Sequence, residues 1–170
     1  HVYELSGDYS NAIKDYSAAI EKSEGETLEN AYKYRCGLYT VLGDYDQALA
    51  DINAAIKLDG NDSVSFVYRG TIYDFMDKYL KAISDYTRAI RIDPLYADAY
   101  YRRGLVLSKL GYYELALPEY QSAITLGLDT GEIYYSRGRT QYDLGQYAEA
   151  LKSFDTAIER DASDHEAYIM

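Results

Sequence analysis

Four arginines recur at one interval, Arg35, Arg69, Arg103 and Arg137, each 34 residues from the next. A guanidinium on an apolar stripe can capture an anion, or it can fork onto a carboxylate of its own chain. Sixteen residues downstream of the first three stand Asp51, Asp85 and Glu119, with Ser153 in the fourth place. The constant spacing predicts structural ion pairs, Arg35 with Asp51, Arg69 with Asp85 and Arg103 with Glu119, because an unpaired buried charge is strongly unfavourable. Arg137 lacks its acid, and Asp155 is one candidate acceptor. Little else suggests catalysis. The two histidines, His1 and His165, lie at opposite ends, and the single Cys36 excludes an internal disulfide and a cysteine-based zinc cluster. No phosphate-cradling glycine loop, no histidine beside a nucleophile and no metal-spaced ligand set occurs. Acid pairs such as Asp44 and Asp46 fall at turns, where helix capping explains them. The expectation is a protein that is not an enzyme and uses no cofactor or metal, with Cys36 as a buried packing thiol.

The elements that must position the arginines follow from the same period. Tyr45, Tyr79, Tyr113 and Tyr147 form a second column; Ala48, Ala82, Ala116 and Ala150 a third; Ala55, Ala89, Ala123 and Ala157 a fourth. A period in this range means stacked supersecondary units without one central core. Within one unit, Tyr32, Arg35, Cys36, Tyr39 and Leu42 make the stripe of an amphipathic helix, which Gly43 stops. Asp44 is placed to cap a second helix with the stripe Tyr45, Ala48, Leu49, Ile52, Ala55 and Ile56. Asp77 takes the glycine place in the next unit, as a residue that tolerates the left-handed backbone region. Gly70, Gly104 and Gly138 sit inside first helices, at about 1 kcal/mol each relative to alanine, so something must approach closely there.

These residues resemble the tetratricopeptide repeat family. The features that carry the likeness are the aromatic at Tyr32, Phe66, Tyr100 and Tyr134, the small residue four further on, the Leu-Gly-x-Tyr turn, the alanines seven apart and Pro94 between units. The resemblance implies an all-α solenoid of antiparallel helix pairs, stacked as a right-handed superhelix whose first helices line a concave groove for peptide segments. The expected organisation is a single array: a partial repeat over 1–26, full repeats over 27–62, 63–96, 97–130 and 131–164, and the start of a further helix over 165–170. Departures are Gly60, Leu128 and Ala162 where Pro94 stands in its own unit, and Pro118 inside a second helix. Ala12 to Ala48 spans 36 residues, which predicts a longer, looser connection over 23–28.

Many of the 22 tyrosines fall on packed columns, but Tyr34, Tyr68, Tyr101 and Tyr135 fall on the outward stripe of first helices, together with Val67 and Leu105. The stripe reads either as a partner-binding groove, with Lys33, Arg102 and Arg139 supplying polar specificity, or as packing between neighbouring first helices. The family subclass that captures chaperone carboxyl-terminal tails is not matched, since the relevant places hold Lys33, Gly37, Tyr68, Asp98 and Arg102, of which only Lys33 and Arg102 fit. A net charge of −11 and the lack of a long apolar run argue against nucleic acid and membrane partners. The leading expectation is a cytoplasmic protein-interaction scaffold, a fragment of a larger protein, that binds a protein or peptide segment. Self-assembly through repeat ends, for which no solubilising cap is visible, and a recognition arm of a larger enzyme are the alternatives.

Overall fold

The computed structural model describes the backbone of residues 2–167 and the side chains of residues 8–161. Among them the chain is all-α, with no strand: α1 (Val2–Lys22), α2 (Gly25–Leu42), α3 (Tyr45–Leu58), α4 (Ser63–Phe75), α5 (Tyr79–Ile92), α6 (Ala97–Lys109), α7 (Tyr113–Thr125), α8 (Gly131–Asp143) and α9 (Tyr147–Ala167). It divides into two compact units, His1–Ile92 with α1 to α5 and Asp93–Met170 with α6 to α9. The first unit contains the hairpins α2–α3 and α4–α5, with α1 against α2; the second contains α6–α7 and α8–α9.

Each hairpin turns on one residue with a left-handed backbone: Gly43 (φ 77), Asp77 (φ 56), Gly111 (φ 79) and Gly145 (φ 76). The amide after each such residue bonds back to the last turn of the first helix, as Asp44 N does to Tyr39 O at 2.9 Å and Lys78 N to Tyr73 O at 2.8 Å. The second helix then starts at once, with Asp44 accepting from Gln47 N at 3.4 Å. The alanine columns are the seam, with Ala48, Ala82 and Ala116 fully buried and Ala150 nearly so.

The close approach at the glycine column comes from aromatic rings. A Cβ on Gly70 would stand 2.7 Å from Tyr86 Cε1, on Gly104 2.8 Å from Tyr120 Cε1, and on Gly138 2.8 Å from Phe154 Cδ1. The first hairpin has Cys36 at that place, and the opposing residue 34 before Tyr86 is the ringless Ile52; both are fully buried. Burial pushes the Cys36 thiol up to about 12, which keeps it protonated and poorly nucleophilic at neutral pH.

One arginine beside each small residue ties the hairpin. Arg35 donates from Nε and Nη2 to Asp51 at 2.8 and 2.6 Å, and Arg69 to Asp85 at 2.8 and 2.8 Å. Arg103 forks onto Glu119 at 3.1 and 2.9 Å. Each guanidinium also lies over the aromatic one turn earlier, as Arg69 does over Phe66 at 5.4 Å and Arg103 over Tyr100 at 5.7 Å. Arg137 does not reach Asp155. Its Nε donates to Ser153 Oγ at 3.1 Å and its Nη1 to Gln121 Oε1 at 3.5 Å, because Asp155 lies two residues past the facing position and so off the face that α9 turns to α8.

The structure departs from the sequence expectation in three further places. Residues 25–28 are helical, so α2 has 18 residues against 13 in α4, α6 and α8, and the link from α1 is only Ser23 and Glu24. Extending a helix satisfies its amides, whereas a loose loop of the same length leaves them to water. Helix α1 runs unbroken through Gly7, where the glycine-x-tyrosine pattern of the other repeats would place a turn. Helix α9 continues to Ala167, past the expected start of a further helix, for no proline or glycine stops it; residues 168–170 lie outside the described residues.

The glycine column gives a paired test. Gly104→Ala should lose about 1–3 kcal/mol to overpacking against Tyr120, outweighing its helix-propensity gain. Gly37→Ala, whose Cβ meets nothing within 4 Å, should gain up to about 1 kcal/mol. Urea unfolding of both variants measures the two signs.

Candidate functional site

The outward faces of the first helices are described for each unit separately. In the first unit, Lys33 on α2 is drawn into the protein, its side chain 17% exposed, and donates to Glu29 Oε1 at 2.8 Å and Asp62 Oδ2 at 3.1 Å. Asp62 is the N-cap of α4 and accepts from Val64 N and Ser65 N, each at 3.1 Å, and from Ser65 Oγ at 2.7 Å. Burial pulls the Lys33 ammonium down, but Glu29 and Asp62 outweigh it and leave its pKa above the ordinary lysine value. Burial likewise pushes the Asp62 carboxyl up, and the Ser65 hydroxyl and Lys33 reverse this to hold it below the ordinary aspartate value. Tyr34 is exposed and stacks on Tyr16 of α1, with centroids 5.5 Å apart. Tyr68 on α4 is 40% exposed, but its neighbour Val67 is buried.

In the second unit, Tyr101 on α6 is also buried, its hydroxyl 3.1 Å from Ser136 Oγ on α8 and its ring 6.0 Å from that of Tyr120. Val67 and Tyr101 share one column with Lys33 and Tyr135, and so are corrected from groove to core. For Tyr101 the reason is visible: the column lies on the flank of a first helix that meets the next one, as α6 meets α8. Tyr135, on the last first helix described, stays 55% exposed. Arg102 Nε is held by Asp98 Oδ2 at 2.6 Å, whereas Arg139 stands 64% exposed with Asp143 only at 3.5 Å.

These residues frame a cleft of about 240 Å³ between α6 and α8, lined by Leu105, Ser108, Tyr135, Ser136, Arg139 and Thr140 among others. Ser108 Oγ and Thr140 Oγ1 share a hydrogen bond at 2.5 Å on its wall. Beside them Tyr120 Oη is buried with no hydrogen-bond partner of good geometry, and burial holds its phenol above the ordinary tyrosine value. In the first unit the equivalent Tyr86 Oη lies 3.3 Å from Thr71 Oγ1. Leu105 replaces Thr71 one repeat on, which removes that partner. The cleft thus offers hydroxyls inside, aromatic and aliphatic walls, and one well-exposed guanidinium at the rim, a set that suits a carboxylate-bearing side chain of a protein segment. Sequence reasoning overlooked Ser108, Ser136 and Thr140. Thr140 had a readable signal, being the polar member of a column that otherwise runs Leu38, Ile72, Val106.

Residues 131–164, and residues 38–62 with 97–126, match descriptions of the tetratricopeptide repeat, and residues 76–111 match a further TPR repeat description. Together these matches cover more than half of the chain. No curated protein matches the sequence significantly. Among solved structures, MamA is 24% identical with a TM-score of 0.80, over 96% of this chain and 94% of that one. YrrB, described as a TPR protein with an unusual peptide-binding site, is 26% identical with a TM-score of 0.71, over 90% and 78%. The first TPR of Spaghetti (RPAP3), bound to the HSP90 peptide SRMEEVD, is 24% identical with a TM-score of 0.66, over 69% and 93%. Among the described residues no helix is long and apolar enough to cross a membrane.

The Lys33–Asp62 contact carries a pH signature. A carboxyl held below its unfolded value stabilises the fold at pH above about 4 and loses that contribution as pH falls towards its folded value. Asp62→Asn should therefore be less stable than the parent at pH 6, with the gap closing towards pH 3. Denaturant midpoints of the two proteins across that range measure it.

Proposed function

Because the chain belongs to the tetratricopeptide repeat family, we propose that this protein-interaction scaffold holds an extended or helical protein segment against the outward faces of its first helices. The α6–α8 cleft is the observation that carries this reading. It joins exposed Tyr135 and Arg139 to a hydroxyl-lined interior within one compact unit. In the first unit, taken by itself, Tyr34 and Tyr68 are exposed rigid amphipathic side chains that give contact area at low entropy cost. A peptide-binding site in YrrB, the neighbour of highest identity named above, supports the choice of ligand class.

The favoured segment is acidic at the contact with Arg139, but it is not a chaperone tail. A carboxylate clamp needs several uncommitted cations, and here Lys33 is tied to Glu29 and Asp62 and Arg102 to Asp98. The resident arginines of the hairpins are likewise held by Asp51, Asp85 and Glu119. We read the protein as a non-catalytic, cytoplasmic scaffold that needs no cofactor.

Panning a displayed random-peptide library on the protein tests the reading. Selected peptides should be enriched in Asp or Glu and should bind about tenfold more weakly to Arg139→Glu, the loss of roughly one charge-assisted contact. The peptide SRMEEVD should bind no better than its scrambled form. Binders indifferent to both Arg139→Glu and Tyr68→Ala would remove this surface from the function.

A further inference from the structure

The outward stripe of α5 is charged unlike that of the other second helices. Lys81, Ser84, Arg88 and Arg91 fall at i, i+3, i+7 and i+10, one face of a helix that carries three cations and no acid. The same four positions hold one cation on α3, Lys57, and none on α7. On α9 they hold one cation, Lys152, between two acids, Glu149 and Glu159. In a chain of net charge −11, an unbalanced basic stripe confined to one helix sets that helix apart.

Arg88 is half-buried and Arg91 is exposed. With Ser84 they border a cleft of about 380 Å³ within the first unit, which Phe66, Arg69 and Asp85 also line. Arg69 and Asp85 are spent on each other: both carboxylate oxygens accept from Arg69 Nε and Nη2, and the remaining Nη1 goes to Asn53. Arg88 is held by a ring instead of an acid. Its guanidinium lies over Phe66 at 5.7 Å, on a ring that also carries Arg69 at 5.4 Å. Among the described residues neither Arg88 nor Arg91 meets a carboxylate or a hydrogen-bond acceptor. The five N–H donors of each guanidinium are therefore open to a ligand.

The donor set identifies the ligand. Two unpaired guanidiniums one turn apart, with a serine hydroxyl one turn before them, exceed what the two oxygens of a carboxylate can use. They match the three terminal oxygens and nearly double charge of a phosphate monoester. A nucleoside would need an aromatic face for its base, and that of Phe66 is already covered by guanidiniums. A long polyanion would be repelled by the acidic remainder of the chain. A protein segment meets neither objection, and Lys81, about 10 Å further along the same stripe, offers it a second contact. We propose that Arg88 and Arg91 form a phosphate-binding site that takes a phosphoserine or phosphothreonine of a partner protein, with the segment running along α5 towards Lys81. The site stands independently of the α6–α8 cleft.

The probe is an array of peptides with a central phosphothreonine and degenerate flanks, each beside its unphosphorylated twin, overlaid with the whole chain. Phosphorylated members should be retained above their twins. The best of them, followed by anisotropy, should bind about tenfold or more weakly to Arg88→Gln and to Arg91→Gln, and equally well to Arg139→Glu. Affinity should also fall between about pH 7.5 and 5, as the phosphate takes up its second proton at a pKa of about 6, whereas a carboxylate ligand would keep most of its charge. Arg91 is exposed, so Arg91→Gln probes the site without disturbing the stack on Phe66, and circular dichroism checks that both variants stay helical. Retention indifferent to phosphorylation, or affinity insensitive to both substitutions, overturns the proposal. So does inorganic phosphate or adenosine monophosphate binding as tightly as the best peptide, which would assign the cleft to a small phosphate ligand.

Discussion

The fold depends on how near the two helices of a hairpin can come. A ring from the second helix lies where the Cβ of residue 70, 104 or 138 would be, so the first helix has room there for hydrogen only. That approach fixes the arginines as well. Arg69 and Arg103 each stand one residue before the glycine, and Asp85 and Glu119 each stand one residue before the ring. Once ring meets glycine, guanidinium and carboxylate face each other within reach of two parallel hydrogen bonds. The constant spacing of sixteen is thus the arithmetic of one close contact. Where Ile52 takes the place of the ring, Cys36 is tolerated and the Arg35–Asp51 pair keeps its geometry, at 2.8 and 2.6 Å.

These pairs say more about geometry than about stability. Burying two charges costs roughly what their attraction returns, so a buried pair adds little net stability while its loss leaves an uncompensated charge. What the fork and the aromatic beneath it supply is direction. On Arg35 and Arg69 the guanidinium is clamped in plane by the acid and stacked on Tyr32 or Phe66, which leaves its third nitrogen aimed at the neighbouring helix, α1 or α3. Arg35 and Arg69 use that nitrogen on Ser17 and Asn53. Hairpin closure and helix stacking are therefore coupled through one side chain, Arg35 on α2 and Arg69 on α4. A consequence is that most first-helix cations are committed inside a chain of net charge −11, and Arg139 stands out for its exposure.

Most of the fold was legible because repetition separates packing from accident. The turns at Gly43, Gly111 and Gly145, and at Asp77, could be placed from spacing, since each position demands a backbone that few residues adopt. Continuity of helices was less legible. Nothing in residues 23–28 forbids a helix, and the lack of a breaker let α2 begin at Gly25. The outward stripe was legible only in part, because a helical wheel gives direction but not the position of the neighbouring helix. Val67 and Tyr101 sit one residue from Tyr68 and Arg102, and that step of about 100° around the helix carries them from the accessible side to the covered one. The hydroxyl lining of the α6–α8 cleft was hidden for a related reason: Ser108 and Thr140 become one site only when two first helices are side by side.

The positions that individualise this protein are those where the repeats disagree. Columns that close hairpins must stay nearly constant, so a difference there needs a compensating one, as Cys36 with Ile52 shows. Columns that face outward carry no such restraint. Gly37, Thr71, Leu105 and Arg139 occupy one inner column with four chemistries, and the change from Thr71 to Leu105 alone alters which hydroxyls remain near Tyr120. The acceptor column is intermediate: Ser17, Asn53 and Gln121, each covered by a neighbouring helix within its unit, are all neutral. A carboxylate at a covered step would face a guanidinium already neutralised by its own acid, and would be desolvated for little return. The variation between copies is thus graded by how much packing each column must support, and the copies differ most where that demand is lowest.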